Sequence, residues 1–371
     1  MSLRKICYIL GHKNPDADSV CAAVGYEHYK KAIGQGHCLA GRCGTANARI
    51  EAIFKRFSYP VPPMVGDVTP RVMDIMNTEI VSLRATASCA EALGKLDNRE
   101  IRAIPVVSED GKAEGVISIH DLGDFFTPSE IGTLQMRHVK ASLSSIVKTL
   151  KAKVLNVVDP YTEEDLYIRI GAMDIRSFGK FFDKDEEVNP ENSIIIVGDR
   201  WDIQEKSLQS NVRLLIVTGG LEIDEDMIER AKERNVSLIS SPLDSATTAL
   251  MVRTATSIGP LMSTHLVKFS PKEKLERVRK KVAALNNALF MVVDEKDKLL
   301  GVFSKTDLLK PVDTQIILVD HNEISQAVNG ADQVNIMEII DHHRLGNIPT
   351  RQPILFINRP VGSSCTIIAD M

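Results

Sequence analysis

The sequence predicts an α/β protein in which a discontinuous parallel-sheet domain is interrupted by a long insertion. Three apolar runs of strand length are each followed by acidic and histidine residues, one near the start of the chain and two near its end, at residues 6–10, 316–319 and 336–340. The insertion contains a duplicated segment, because a shift of 186 positions superposes Val106-Val107 on Val292-Val293 without a gap. A further set of alternating strand-like and helical runs lies between the two copies.

The polar strings after the three runs are Gly11–Ser19, Asp320–Glu323 and Asp341–Arg344. In a parallel α/β sheet the carboxyl ends of the strands share one edge, so these side chains are expected to converge. A mixed set of carboxylates and imidazoles favours Mn²⁺, Co²⁺ or Zn²⁺ over Ca²⁺. Taken singly, each string has a simpler interpretation, since Pro-Asp-x-Asp is ordinary turn and N-cap chemistry and paired histidines occur in solvated loops. Together the strings predict one shared metal site.

These strings resemble three motifs of the DHH phosphoesterases, specifically the family II manganese-dependent inorganic pyrophosphatases. The middle string, Asp320–Glu323, distinguishes the pyrophosphatases from other DHH enzymes. Oligoribonucleases and RecJ-like exonucleases share the Asp-His-His motif but do not usually combine a His-Lys-Asn-Pro-Asp string with an Asp-His-Asn-Glu string. The resemblance implies a catalytic position for His343 beside the substrate and five metal ligands, with one ion on His12 and Asp16, the other on Asp18 and His342, and Asp320 as the bridge. It also implies Mn²⁺ or Co²⁺ as the metal, with Mg²⁺ on the substrate.

Each copy of the duplicated segment is expected to contain a strand, an amphipathic helix (89–98 and 275–285), two strand-like runs and a Gly-Val-x-Ser-x-x-Asp-Leu turn into a helix. The copies resemble CBS domains, which pair to bind adenine nucleotides. The resemblance implies AMP, ADP, ATP or diadenosine polyphosphates as ligands, a homodimer formed through these domains, and nucleotide-binding roles for Ser118, Asp121, Ser304 and Asp307. The alternative is that both aspartates are only helix N-caps.

The third unit is predicted to be a small βαβ domain with strands at 193–197, 214–217 and 236–239 and a helix at 224–234. Its strings Val197–Arg200 and Thr218–Gly220 resemble the split motif of the DRTGG domain. The Thr-Gly-Gly string is either a phosphate-binding nest or a turn that ends a strand.

These observations give an expected domain order with Pro60–Pro63 and Lys310–Asp313 as linkers. The domains are a first DHH part (1–66), CBS 1 (67–126), DRTGG (127–250), CBS 2 (251–310) and a second DHH part (311–371). Arg359–Ser364 resembles the Pro-Val-Gly helix start of the pyrophosphatases, which have a further metal-binding Asp and a phosphate-binding domain beyond it. We therefore expect a C-terminally truncated chain with little turnover of its own.

Composition limits the function classes. Of the 371 residues 44% are hydrophobic, enough for several cores, and the net charge of −4 gives no electrostatic footprint for nucleic acid. The six cysteines include no Cys-x-x-Cys pair and are expected to be reduced thiols of a cytoplasmic protein. The first apolar run is too short for a signal peptide, and no run approaches the length of a membrane span.

The expected function is a nucleotide-regulated inorganic pyrophosphatase that hydrolyses pyrophosphate to two phosphates by a two-metal mechanism. Two alternatives stay open. A DHH phosphodiesterase would act on short oligonucleotides or cyclic dinucleotides, and a non-catalytic sensor would bind adenine nucleotides without turnover.

Overall fold

The computed structural model describes residues 6–99, 101–126, 137–179 and 189–371, and their strands form four β-sheets. The strands are β1 (Cys7–Leu10), β2 (Cys38–Gly41), β3 (Ala103–Val107), β4 (Ala113–Ser118), β5 (His138–Ser142), β6 (Lys153–Asn156), β7 (Glu163–Ile170), β8 (Ser193–Val197), β9 (Leu214–Val217), β10 (Ser237–Ser240), β11 (Lys268–Phe269), β12 (Phe290–Val293), β13 (Leu299–Phe303), β14 (Gln315–Val319), β15 (Asn335–Asp341) and β16 (Leu355–Asn358). The helices are α1 (Ala17–Ala32), α2 (Ala48–Arg56), α3 (Cys89–Asn98), α4 (Ile119–Phe126), α5 (Leu143–Leu150), α6 (Ile175–Gly179), α7 (Trp201–Gln209), α8 (Glu225–Glu233), α9 (Ser245–Thr254), α10 (Leu275–Ala283) and α11 (Ser364–Ala369). Among these described helices, none combines the length and the apolar character that crossing a membrane requires.

The chain divides into two compact units. The first consists of Met1–Thr78, Lys268–Asp294 and Leu300–Met371, and the second of Glu79–Val267 and Glu295–Leu299. The duplicated segment is therefore split, with most of its first copy in the second unit and most of its second copy in the first unit.

The first unit is built on a five-stranded sheet of order β16-β15-β14-β1-β2 in which every neighbouring pair is parallel. Strands from the two ends of the chain meet where β1 pairs with β14, with Leu10 in register with Leu318, and β14 in turn pairs with β15, with Val319 in register with Ile340. Buried side chains cover both faces, as the near-continuous apolar sequence of a parallel sheet requires. The predicted fold class is thus confirmed.

Helices α1 and α11, which pack together in this unit, both begin at side-chain caps. Asp16 caps α1 by accepting from the Ser19 N–H, and the Ser19 hydroxyl in turn accepts from the Asp16 N–H. Ser363 caps α11 by accepting from the Thr366 N–H. Such caps satisfy amide groups that the first helical turn leaves without partners.

Each copy of the duplicated segment depends on a glycine for the close approach of a methionine. A Cβ atom at Gly115 would lie 2.5 Å from the sulfur of Met262, and a Cβ atom at Gly301 would lie 2.7 Å from the sulfur of Met76. A side chain at either position would displace the methionine. The methionine that precedes each copy therefore packs on a strand of the other copy.

The predicted helix at the end of the second copy is wrong. The first copy closes with α4, but the corresponding residues of the second form only the 3₁₀ turn Asp307–Leu309. Pro311 accounts for the difference, because a proline excludes helical geometry from the residue before it.

The second unit contains a six-stranded sheet of order β5-β7-β8-β9-β10-β6. Strands β7 to β10 are parallel, and β5 and β6 pair antiparallel at the two edges. Helices α5 and α9 belong to the apolar core on one face, and α7 and α8 to the core on the other. The predicted βαβ core is present as β8 to β10, whereas β5, β6 and β7 were not predicted. The predicted domain start at residue 127 lies outside the described residues.

Candidate metal centre

The three polar strings meet at one edge of the five-stranded sheet because β1, β14 and β15 are neighbours in it. His12 follows β1, Asp320 follows β14, and His342 and His343 follow the last residue of β15. Asp18 lies in the first turn of α1. The parallel arrangement thus places all three strand ends at the same edge, as the sequence predicts.

Asp320 is the centre of this arrangement. It is 1% exposed, and its two oxygens face different histidines: Oδ2 lies 3.6 Å from Nε2 of His12, and Oδ1 lies 3.3 Å from Nε2 of His342. Two groups of side chains offer donor atoms within 4.8 Å of one another, His12 with Asp16 and Asp320, and Asp320 with His342 and His343. Asp320 is common to both groups, as a bridging carboxylate must be. Its backbone is in the left-handed region, with φ of 65°, a conformation that is uncommon for non-glycine residues.

Asp16 and Asp18 approach the centre from the start of α1. The Oδ1 atom of Asp16 lies 3.6 Å from Nε2 of His12 and also accepts from the Ser19 N–H at 2.9 Å. Asp16 is therefore an N-cap, and this is compatible with the predicted role as a metal ligand. The Oδ2 atom of Asp18 lies 3.6 Å from Nε2 of His342. All five predicted metal ligands are therefore brought together, while their individual roles stay predictions.

The histidines are oriented by partners on their other ring nitrogen. Nδ1 of His342 donates to the carbonyl of Val361 at 2.9 Å, which leaves Nε2 with its lone pair toward the carboxylates. Nδ1 of His343 lies 2.8 Å from Oδ1 of Asp341, and the His343 side chain is about half exposed. The fully buried Asp341 also accepts the backbone N–H of both histidines, at 2.8 and 3.2 Å.

Three functional residues were missed by the sequence reasoning. Asp341 holds the two histidines, Asn322 donates to Asp341, and the Ser364 hydroxyl donates to Oδ1 of Asp320 at 3.0 Å. The N–H groups of Ser364 and Cys365, at the start of α11, bind the two oxygens of Asp18 at 2.8 and 3.0 Å. Asp341 could have been predicted to contact the site, because it is the last residue of a buried strand that ends at this edge. Nothing in the sequence placed α11 against α1.

His321 is the second residue of the middle string and belongs to neither group. It is buried, its Nδ1 lies 3.0 Å from the carbonyl of Val319, and burial lowers its pKa to about 4. The ring is therefore neutral and packs beneath the site, with its edge toward the ring of His12.

The electrostatics of the centre fit a bound cation. Burial, followed by the neighbouring charge of Asp18, raises the pKa of Asp320, because negative charge is concentrated where water is excluded. The hydrogen bond to Asp320 raises the pKa of His12. Burial works against ionisation of Asp18, but its hydrogen bonds from Cys365 and Ser364 prevail and lower its pKa. Clustered carboxylate oxygens and imidazole nitrogens are the donor set that Mn²⁺, Co²⁺ and Zn²⁺ accept.

The predicted nucleotide-binding turns have the same geometry in both copies. Oδ2 of Asp121 accepts from the Ser118 N–H at 2.7 Å and from its hydroxyl at 2.6 Å, and Oδ2 of Asp307 accepts from the Ser304 N–H and hydroxyl, both at 2.7 Å. The carboxylates thus close the turn, in agreement with the capping alternative, and each keeps a second oxygen. In the second copy that oxygen lies 2.5 Å from Nζ of Lys310.

The position of Lys310 is occupied by a residue of opposite charge in the first copy. It corresponds to Asp124, which lies 3.1 Å from Nδ1 of His120. Burial opposes ionisation of Asp307, but the hydrogen bonds from Lys310 and Ser304 lower its pKa. The turn of the second copy is therefore the more cationic of the two and the better suited to phosphate.

The Thr-Gly-Gly string of the third unit is a turn that ends β9. The N–H groups of Gly219 and Gly220 donate to the carbonyls of Leu243 and Ser241 at 2.8 and 2.9 Å. A phosphate nest requires these groups to point at the ligand. The turn interpretation is the better supported one.

Comparison with known proteins decides the modular architecture. A family model described as the CBS domain matches residues 72–125 and 257–313, and one described as the DRTGG domain matches residues 145–255. The chain contains two CBS domains flanking a DRTGG domain. The exact boundaries given in the sequence analysis stay predictions.

Two relatives match nearly the whole CBS–DRTGG–CBS chain. A probable manganese-dependent inorganic pyrophosphatase of Thermotoga maritima is 32% identical over 98% of this chain and 65% of its own length. A cobalt-dependent inorganic pyrophosphatase of Clostridium perfringens is 30% identical over 99% of this chain and 66% of its own length. The chain thus spans about two thirds of the length of these relatives, and the predicted resemblance to metal-dependent pyrophosphatases is confirmed.

A solved structure matches the CBS and DRTGG domains of the chain. The CBS and DRTGG domains of the regulatory region of Clostridium perfringens pyrophosphatase, in complex with the activator diadenosine tetraphosphate, align with a TM-score of 0.57 and 25% identity. The alignment covers 64% of this chain and all of that structure. The fold of the insertion is therefore shared with a nucleotide-binding regulatory region.

Proposed function

We propose that the protein hydrolyses inorganic pyrophosphate to two phosphates with Mn²⁺ or Co²⁺ at the centre described above and Mg²⁺ on the substrate. The observation that carries this proposal is the placement of Asp320, whose two oxygens each face a different histidine. A carboxylate placed in this way can serve two cations at once. The manganese- and cobalt-dependent pyrophosphatases among the relatives support the same reaction.

The chemistry follows from the donor atoms of the chain. When bound, paired divalent cations activate water as a nucleophile at neutral pH and neutralise charge on the transferring phosphoryl group. His12 and Asp16 would hold one cation and Asp18 and His342 the other, each next to an oxygen of Asp320. Because the chain has a net charge of −4, cations at this edge are what attracts a polyanionic substrate.

His343 is the residue we assign to the leaving group. Its Nδ1 is held by Asp341, and its half-exposed ring leaves Nε2 for the substrate. The hydrogen bond between Nδ1 and the buried carboxylate fixes the orientation of the ring. Nε2 would donate a hydrogen bond or a proton to the departing phosphate.

The regulatory part of the proposal places adenine nucleotides at the CBS domains. The second carboxylate oxygens of Asp121 and Asp307 can accept from a ribose hydroxyl, and the Ser118 and Ser304 hydroxyls lie beside a helix start or turn that suits phosphate. We propose that AMP or ADP inhibits, that ATP or a diadenosine polyphosphate activates, and that two copies associate through their CBS domains. The diadenosine tetraphosphate bound to the Clostridium perfringens regulatory region supports this choice of ligands.

The test is hydrolysis by the full-length protein with Mn²⁺, measured as phosphate release from pyrophosphate and as chromatographic detection of nucleotide products from a 5′-phosphorylated dinucleotide and a cyclic dinucleotide. Pyrophosphate should be the preferred substrate by orders of magnitude. Preference for either nucleotide substrate would establish the phosphodiesterase alternative. Nucleotide binding without turnover of any substrate would establish the sensor alternative.

A matched variant tests the assignment of His343. His343→Asn should reduce phosphate release strongly and leave Mn²⁺ affinity within about threefold, because the residue acts on the substrate rather than on the metals. Equal losses of metal affinity and turnover would instead make His343 a ligand, a role that its distance of 3.9 Å from Oδ1 of Asp320 allows.

A further inference from the structure

We propose that the DRTGG domain contains a binding site of its own, for a small organic anion that joins a phosphate or carboxylate group to an apolar body. A cavity of about 400 Å³ lies at the carboxyl end of β7, between α6 and α9. This volume lies within the usual range of small-molecule sites, about 300 to 1,000 Å³. Its position outside the carboxyl end of a parallel strand is the usual place for ligands in α/β sheets.

The lining of the cavity combines cations with apolar surface. Three guanidinium groups, of Arg137, Arg169 and Arg253, line it together with apolar side chains that include Ile168, Phe178 and Leu250. None of the described lining residues is acidic. A neutral ligand would add no counterion for the Arg253 guanidinium, and a bare inorganic anion would leave the apolar wall in contact with water.

Arg253 is the residue that points most directly to an anion. It is 9% exposed, and its Nη2 donates to the carbonyl of Phe125 at 2.9 Å. Its guanidinium lies over the rings of Phe125 and Phe126, with 5.0 and 5.9 Å to the ring centroids. Its buried Nε has no hydrogen-bond partner among the described residues. No carboxylate of the described chain forms an ion pair with it, and burial lowers its pKa.

A buried arginine in this state is costly for a folded protein. Removing a charge from water is compensated only by a counterion and by hydrogen bonds to the remaining donors. Here the aromatic rings and one carbonyl supply part of that compensation, while Nε keeps an unused donor. A phosphate or carboxylate accepts from guanidinium donors in a planar, charge-assisted geometry. Such a group in the cavity would supply a counterion for the Arg253 guanidinium, and the apolar body of the ligand would cover Ile168 and Leu250.

The test uses the purified 371-residue chain, freed of metal by dialysis so that the metal centre does not bind the probes. Isothermal titration calorimetry compares 1-naphthyl phosphate, 1-naphthoate and the neutral 1-naphthol. At least one anion should bind with one-to-one stoichiometry and about tenfold or more tightly than the neutral probe. The better of the two anions identifies the acidic group.

Substitutions locate the binding. Arg253→Met should weaken the anion at least tenfold, as expected for the loss of a charge-assisted hydrogen bond. Because Arg253 is buried and its variant can lose stability, Leu250→Glu is the second variant: Leu250 is 59% exposed, so the substitution adds a repelling charge to the lining without disturbing a core. Leu221→Glu is the matched control, since Leu221 is 40% exposed in the same unit and does not line the cavity.

The outcomes separate the possibilities. Weakening by Leu250→Glu with unchanged binding by Leu221→Glu supports the site. The proposal is overturned if neither anion binds, if 1-naphthol binds equally well, or if Leu250→Glu binds as the unmodified chain does. Loss of binding in an Asp121→Ala, Asp307→Ala double variant would also overturn it, because the anion would then occupy the CBS turns.

Discussion

Replacement of Asp320 by asparagine should weaken two metal sites at once, whereas replacement of His12 by alanine should weaken only one. The contrast follows from geometry, because Asp320 faces His12 through Oδ2 and His342 through Oδ1, while His12 faces only the Asp16 side. Asparagine has nearly the same shape as aspartate, so its amide oxygen can still accept from the Ser364 hydroxyl, now 3.0 Å from Oδ1. The substitution therefore removes charge with little change in packing.

The size of the effect can be worked out per site. Loss of an interaction with a charged group costs about 1.5 to 3 kcal/mol. At 1.4 kcal/mol per factor of ten, each of two Mn²⁺ ions should bind roughly 10- to 150-fold more weakly to Asp320→Asn. Relief of the repulsion between Asp18 and Asp320 stabilises the metal-free protein, and because binding is measured against that state, it adds to the loss of affinity.

The assay is Mn²⁺ titration followed by the electron paramagnetic resonance signal of the free ion, which counts bound ions directly. Asp332→Asn is the control, since Asp332 is an exposed aspartate of the same unit whose backbone carbonyl accepts from Arg351. Thermal unfolding gives a second readout, because a ligand at 100 times its Kd stabilises the folded state by about 2.7 kcal/mol. Unchanged two-site binding by Asp320→Asn, or loss of only one site, would refute the bridging assignment.

Three further predictions concern other parts of the molecule. Ser364→Ala should lower Mn²⁺ affinity about 10- to 100-fold, because it removes a hydrogen bond to Asp320. The control is Ser363→Ala, which removes the cap of α11. It should lower the free energy of unfolding by about 1 kcal/mol and leave Mn²⁺ affinity unchanged. Asp307→Ala should weaken AMP binding by about 1.5 to 3 kcal/mol, as measured by calorimetry. Lys310→Ala should weaken the binding of AMP but not that of adenosine, which has no phosphate. Equal losses of AMP and adenosine binding would contradict a phosphate-binding role for the lysine. Burial raises the pKa of all six thiols, that of Cys89 to about 12. Ellman's reagent should therefore react slowly with the native protein, faster as the pH rises, and with six thiols in guanidinium, whereas rapid reaction of the native protein at pH 7 would contradict the raised pKa values.

The convergence of the proposed metal ligands could be predicted from the sequence, because residues that follow parallel strands come together at one edge of the sheet however far apart they lie along the chain. His12, Asp320 and His342 follow three apolar runs, and parallel pairing brings their ends to one edge. The partners of these ligands could not be predicted in the same way. Ser364 reaches Asp320 only through the packing of α11 against α1, a long-range contact that leaves no periodic signal in the sequence.

Edge strands and the end of the second CBS copy show two other limits. Strands β5 and β6 carry lysines and other polar residues, as edge strands do, so they lack the apolar runs by which β8, β9 and β10 were found. The helix expected after Ser304 is shortened to a 3₁₀ turn by Pro311. The first copy has no proline at the corresponding place, and extending its pattern to the second was the error.

The path by which a nucleotide signal would reach the metal centre is short. The second CBS match ends at residue 313, and β14 begins at Gln315 and ends at Val319, directly before Asp320. Five strand residues span about 16 Å and pair on both sides with β1 and β15, so β14 is too constrained to absorb a displacement by bending. A shift of the turn at Asp307, whose end is held by Arg279 through the carbonyl of Leu308, would therefore move the strand along its length and act on Asp320. Since Asp320 faces both histidines, such a shift would change both metal sites together, and coupling of about 1 to 3 kcal/mol needs no more than a small change in these distances.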